Sequence, residues 1–181
     1  MRTAVLLTLA ALLAVAAGCR RGEDAEPQPQ GPQGSAPEGY VDLYFPSENG
    51  FLGAERRQLE LEGDAGQQVR TLVTAWLEGP AEAGEEGLVP AFPAGLELTE
   101  AFVTADGVAI VDLAAPEGGE PPSTGSMLEM QRVYSLVDSV VLNVAGVRRV
   151  TILWNGRQRE TLSGHVDTSV PLAPMTELMN R

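Results

Sequence analysis

"SMLEMQRVYSLVDSVVLNVAGVRRVTILWNG", residues 126–156, reads as a helix, a turn and a strand in succession. Met130, Val133, Leu136, Val137, Val140, Val141 and Val144 recur with the helical period and form one apolar stripe that ends at Gly146. β-Branched residues lower helix propensity, but so regular a period predicts a helix. Ser126 and Glu129 have the spacing of a capping box, which puts its start there. "RRVTILW" (Arg148–Trp154) is a β-rich run bounded by turn residues, and Asn155-Gly156 predicts a hairpin into "RQRETL" (Arg157–Leu162). A helix striped on one side needs one covering layer, so this stretch predicts a helix lying on a sheet.

The same pattern stands upstream. Asp64 is placed as an N-cap before "AGQQVRTLVTAWLEGP", where Val69, Leu72, Val73, Trp76 and Leu77 make a second one-sided stripe and Gly79-Pro80 supplies the stop. Between the helices, "LELTEAFVT" (Leu96–Thr104) and "VAIVDL" (Val108–Leu113) join through Asp106-Gly107, a pair suited to a tight hairpin. Ahead of them, "YVDLYF" (Tyr40–Phe45) and "RRQLEL" (Arg56–Leu61) flank the turn signal Asn49-Gly50. The order β-β-α-β-β-α-β-β predicts an α+β two-layer sandwich, with both helices on one face of a mixed sheet. Two loops, Ala81–Pro93 and Ala114–Gly125, interrupt it.

Before Tyr40 the composition changes. Arg20–Gly39 ("RRGEDAEPQPQGPQGSAPEG") has no aliphatic side chain larger than Ala, so it cannot bury enough apolar surface to offset its ordering entropy and reads as a disordered tether. Ala4–Ala17 is apolar but shorter than the roughly 20 residues a spanning helix needs, which is the pattern of a secretory leader. Ala16-Ala17-Gly18-Cys19 resembles the lipobox of bacterial lipoproteins, and Cys19 is the only cysteine in the chain. In that family the thiol becomes the site of acylation, so Cys19 is expected to carry lipid after cleavage behind Gly18. The expected organisation is a signal peptide at 1–18, lipidated cysteine and tether at 19–39, a folded domain at 40–172 and a tail at 173–181.

The 181 residues carry 12 Lys+Arg, all of them Arg, against 25 Asp+Glu, for a formal charge of −13. Such a surface repels phosphate backbones and anionic headgroups, so nucleic acid is not an expected partner and membrane attachment would come through lipid on Cys19. Absence of lysine excludes a P-loop or a Schiff-base nucleophile. The sole histidine, His165 in "SGHVDTS", stands near Asp167 but lacks the three or four ligands of a zinc site and reads as a turn residue fixing the chain end. Glu85-Glu86 reads as solvated charge, and Asp112, ending an apolar strand, as a cap or turn residue. Ser126, Ser135 and Ser163 lack any nucleophile motif. No catalytic, metal or cofactor residue is assigned.

Taken in order, "VDLYF", Leu52 and Arg56, "WLEGP" (Trp76–Pro80), "VPAFPAGLEL" (Val89–Leu98), "GVAIVDL" (Gly107–Leu113), "GSMLEMQRVYSLVDSVV" (Gly125–Val141), "VRRVTILWNG" (Val147–Gly156) and "ETLSGHVDTSVPL" (Glu160–Leu172) resemble the GerMN domain family, in single-domain form. The resemblance implies a core like the ring-building modules of envelope assemblies, a lipoprotein of spore formation or germination, and no catalytic residues. The expected function is that of a non-enzymatic, extracytoplasmic, lipid-anchored module that binds an envelope protein or itself. A small-ligand or glycan binder using Gly79–Pro93 and Ala114–Gly125 as a pocket rim is the alternative.

Overall fold

The computed structural model describes residues 38–81 and 87–179. The leader, Cys19, nearly all of the tether and Glu85-Glu86 lie outside those residues. Six strands and two helices follow in the expected order: β1 (Tyr40–Pro46), β2 (Leu52–Gln58), α1 (Ala65–Leu77), β3 (Glu97–Val103), β4 (Val108–Ala114), α2 (Ser126–Asn143), β5 (Arg149–Trp154) and β6 (Arg157–Gln158). Among the described residues no helix is long and apolar enough to cross a membrane.

The first helix is bounded as its sequence dictates. Asp64 Oδ1 accepts the Gln67 N–H and Gln67 Oε1 accepts the Asp64 N–H, a reciprocal cap that satisfies two of the orphan donors of the first turn. At the other end Gly79, at φ +82°, takes the left-handed conformation that stops the helix. For α2 the predicted capping box is absent. The N-cap is Gly125, with no side-chain bond, and the Glu129 carboxylate is turned away from the helix start.

Pairing is mixed, as expected, but the strands form two sheets. β3, β4, β5 and β6 lie side by side, with β4 and β5 parallel and the other pairs antiparallel. The turn between β3 and β4 uses Gly107 at φ +79°, where a Cβ would come within 2.6 Å of the Gly146 carbonyl. β1 and β2 form a separate antiparallel hairpin, and β2 begins earlier than predicted because Ser47 N–H bonds Phe51 O and closes the turn tightly. β6 stops at Gln158 rather than Leu162. Beyond it the place beside β5 belongs to Leu172, which exchanges both backbone hydrogen bonds with Val150.

One core joins these parts. Ala109, Val111 and Leu113 of β4, and Val150, Ile152 and Trp154 of β5, meet Val69, Leu72, Val73 and Trp76 of α1 and Val133, Leu136, Val137 and Val140 of α2. Val41, Leu43 and Phe45 of the hairpin complete it. Each Val, Leu, Ile or Phe among them, taken fully from water, contributes about 1.5–3 kcal/mol. Both helices cover the same face of the four-stranded sheet.

Candidate functional site

Residues directly opposite across paired strands share a face, which places the other side of the sheet without ambiguity. Phe102 faces Ile110 and Ile110 faces Thr151, Glu100 faces Asp112 and Asp112 faces Leu153, and Val108 faces Arg149. These three rows stand opposite the core residues of the same strands. Phe102 is 47% exposed, Val108, Ile110 and Leu153 are half-buried, and none of the four joins the core cluster. The sheet thus turns Phe102 outward beside the half-buried Val108, Ile110 and Leu153, while Asp112 and Thr151 of the same rows are buried, with Arg149 on β5 and Glu100 on β3 at opposite corners. An open cleft of about 540 Å³ between β3 and the first turns of α1, lined by Asp64, Gly66, Arg70 and Phe102, extends this surface around the sheet edge.

The outer edge of β1 is occupied. Along β1, Asp42 N–H donates to Asn143 Oδ1 while Asn143 Nδ2 donates to Asp42 O; Tyr44 N–H donates to Ser139 Oγ, and Trp76 Nε1 donates to Tyr44 O. Gln131 Nε2 reaches Ser47 O and Phe51 O at the hairpin turn. Gln131, Ser135, Ser139 and Asn143 stand four residues apart, so one polar stripe of α2 faces the hairpin while its apolar stripe faces the sheet. On β3, Arg70 donates to Ala101 O, and Glu97 and Glu100 place charge along the edge. Charged and occupied edges resist strand addition.

The second loop and the chain end are tied down by two carboxylates. Glu129, only 1% exposed, accepts N–H groups from Leu162, Ser163 and His165 and lies 2.9 Å from His165 Nδ1. Burial would raise its pKa, but hydrogen bonds from the Ser163, His165 and Val166 backbone and from the His165 ring hold it below the ordinary value. Asp138, fully buried, accepts the Met175 N–H at Oδ1, and its Oδ2 has no partner. Burial, reinforced by Glu177 and opposed by the Met175 N–H, pushes it up to about 7.

Between the two loops lies a cavity of about 240 Å³ lined by Phe92, Pro93, Leu96, Pro116, Pro122 and Trp154. Phe92 is packed between Trp76 and Trp154, with the Arg132 guanidinium 5.4 Å from its ring centre. Asn155, at φ +51°, binds Ala115 N–H through its side-chain oxygen and Gly119 O through its amide, which fixes the loop against β5.

The sequence profile of the Germane family, described as "Sporulation and spore germination", matches residues 42–160. The chain belongs to the Germane family. Its fold is similar to that of a candidate lipoprotein from Clostridium perfringens, with a TM-score of 0.53 at 18% identity over 74% of this chain and 86% of that one. It is also similar to the tandem GerMN domains of the sporulation protein GerM from Bacillus subtilis, at a TM-score of 0.57 and 14% identity over 78% of this chain and 47% of that one. The first of those GerMN domains alone gives 0.50 at 20% identity, over 78% of this chain and 97% of that one. At such identities the likeness carries the fold. Comparison with curated proteins finds no significant match. The GerMN resemblance and the α+β class are borne out.

In this Germane chain the residues singled out from sequence are dispersed. His165 is paired with Glu129 rather than Asp167, whose Oδ1 accepts from the Ser169 N–H and hydroxyl. Asp112, 8% exposed, accepts the Gly156 N–H and so holds the β5–β6 turn. Ser135 and Ser163 donate to the carbonyls of Arg132 and Pro122, and Ser126 opens α2. Among the described residues no three His, Cys, Asp or Glu converge as a metal site. Glu129 was the residue missed, although an acid four positions before Val133 on the apolar stripe signals a carboxylate carried inward.

Proposed function

We propose that this Germane chain is a non-enzymatic, lipid-anchored envelope protein whose folded domain is an assembly and protein-interaction module of spore formation or germination. The outer sheet face, open at Phe102, carries this reading. The exposed Phe102, with the half-buried Val108, Ile110 and Leu153 beside it and Arg149 and Glu100 at opposite corners, supports a protein contact surface there. With the outer edge of β1 held by α2 side chains and that of β3 carrying Glu97 and Glu100, the partner meets the face. Lipid on Cys19 would hold the domain at the membrane despite its charge of −13.

The test uses the full chain in cells, with a photo-crosslinking residue in place of Phe102 and, as control, of Met127, which is 51% exposed on α2. Crosslinking to protein from position 102, lost in Cys19→Ser together with fatty-acid labelling, is expected. Crosslinking from 102 no stronger than from 127 rejects the face, and equal lipid labelling of Cys19→Ser rejects the anchor.

The cavity of about 240 Å³ between the loops favours a second reading, a small-ligand or glycan site walled by Phe92 and Trp154. Its volume is below the roughly 300 Å³ at which ordinary ligand sites begin. Titration with N-acetylglucosamine oligomers, followed by tryptophan fluorescence, separates the two: a saturable change lost in Phe92→Ala favours the glycan site.

A further inference from the structure

We infer that the chain end is a releasable strap across the outer side of α2, seated while the Asp138 carboxyl keeps its proton and let go when that carboxyl ionises. The device is independent of what the sheet face binds. The path of the chain defines the strap. Leu172 exchanges both backbone hydrogen bonds with Val150 of β5, Met175 donates its N–H to Asp138 of α2, and Met179 forms a parallel bridge with Leu52 of β2. Residues 172–179 therefore run from the four-stranded sheet, over the helix, to the hairpin. Beyond Leu172 they are half-buried or exposed, none fully buried. A segment held by so few buried contacts opens at lower cost in free energy than the core beneath it.

Asp138 is where the strap meets the helix. It belongs neither to the apolar stripe of α2 nor to the polar stripe that holds the hairpin. Its neighbours one turn away on the same side, Tyr134 and Leu142, are only half-buried, yet Asp138 between them is fully buried, because the strap crosses there. The Met175 N–H reaches Oδ1 and nothing reaches Oδ2. The titratable groups facing Asp138 are Tyr44 from β1, Tyr134 from its own helix and Glu177 from the strap. Burial keeps both phenols uncharged, raising Tyr44 to about 12, and Glu177 brings negative charge. Arg56, the cation near Tyr44, is bound to Asp42, and none of the ion pairs among the described residues includes Asp138. A carboxyl so placed holds its proton: burial pushes it up to about 7, against the Met175 N–H and with help from Glu177. Lifting the strap admits water and carries Glu177 away, so the open form ionises at lower pH and the seat weakens as pH rises toward 7.

The experiment follows amide hydrogen exchange in the full-length chain, expressed as protection relative to an unstructured chain, from about pH 5 to about pH 8. Protection of the Met175 amide should fall by about tenfold or more on the way to pH 7 and level off above it, while the Val150 and Leu172 amides keep theirs. Asp138→Asn, which keeps an acceptor oxygen but cannot ionise, should protect the Met175 amide equally at every pH. Glu177→Gln, at an exposed position, should make the fall smaller and end it at a lower pH, and it carries the test even where Asp138→Asn does not fold. A Met175 protection that ignores pH overturns the inference, as does a fall that stays the same in folded Asp138→Asn or in Glu177→Gln. So does a fall shared equally by Val150 and Leu172, which would show the domain opening as a whole rather than the strap lifting.

Discussion

Glu129 and Asp138 are carboxylates of one helix, both withdrawn from water, and their surroundings drive them in opposite directions. Glu129 is met by several N–H groups and a histidine ring, so the ionised form is favoured and its pKa lies below the ordinary value. Its stabilisation is present above the ordinary glutamate range and is lost as pH falls through the lowered value. Asp138 has one N–H donor and one bare oxygen, and burial raises it from 3.8 to about 7. The folded state holds that proton more tightly than the unfolded chain, so its contribution is complete below about pH 4 and is lost as pH rises to 7. Asp138→Asn, which fixes the uncharged form, should therefore match the wild type at pH 4 and gain stability progressively up to pH 7. The gain above that should be on the order of 2 kcal/mol, less than the whole shift would supply because the amide brings N–H groups of its own. Urea denaturation of both proteins across this range is the measurement; a gain independent of pH would show that the carboxyl does not titrate there.

At the scale of elements, α2 joins two surfaces: its apolar stripe covers the sheet and its polar stripe holds the hairpin by the edge of β1 that β2 leaves unpaired. Asn143 serves that strand reciprocally, accepting from Asp42 N–H and donating to Asp42 O. Asn143→Ala should cost about 1–2 kcal/mol. Hydrogen exchange at the Asp42 and Tyr44 amides should quicken by about tenfold or more, while the β1 amides bonded to β2 change less; uniform change along β1 would mean the hairpin opens as one unit. The polar stripe explains what the sequence concealed. Periodicity exposes an apolar face, and Asp64, Gln67, Gly79 and Gly107 announce local structure through bonds and φ angles that neighbours in sequence determine. Whether a strand bonds to another strand or to Ser139 and Asn143, far away in the chain, is decided by tertiary packing that no local pattern records. The same holds for β6: "RQRETL" alternates correctly, yet Leu172 takes the place beside Val150 and Glu129 takes the Leu162 N–H. The outer sheet face was legible as a consequence of two one-sided helices, but which residues share it required the register.

For the whole molecule the main opposition to assembly is its own charge. At −13 in total, two copies repel over distances longer than any single contact, while local contacts act only when the copies have met. Salt acts unequally on these two effects. The Debye length shrinks from about 30 Å at 0.01 M to about 8 Å at 0.15 M, so the diffuse repulsion between domains is largely removed while a pair in contact is screened much less. Anchoring works in the same direction by raising the effective concentration of domains that share a membrane. Self-association of the full-length chain on vesicles should therefore increase severalfold between 0.01 M and 0.15 M salt, measured by energy transfer between labelled copies, and gain little beyond that. An association that falls steadily from the lowest salt upward would mean that attraction between opposite charges governs the encounter, and that the acidic surface does not keep the copies apart.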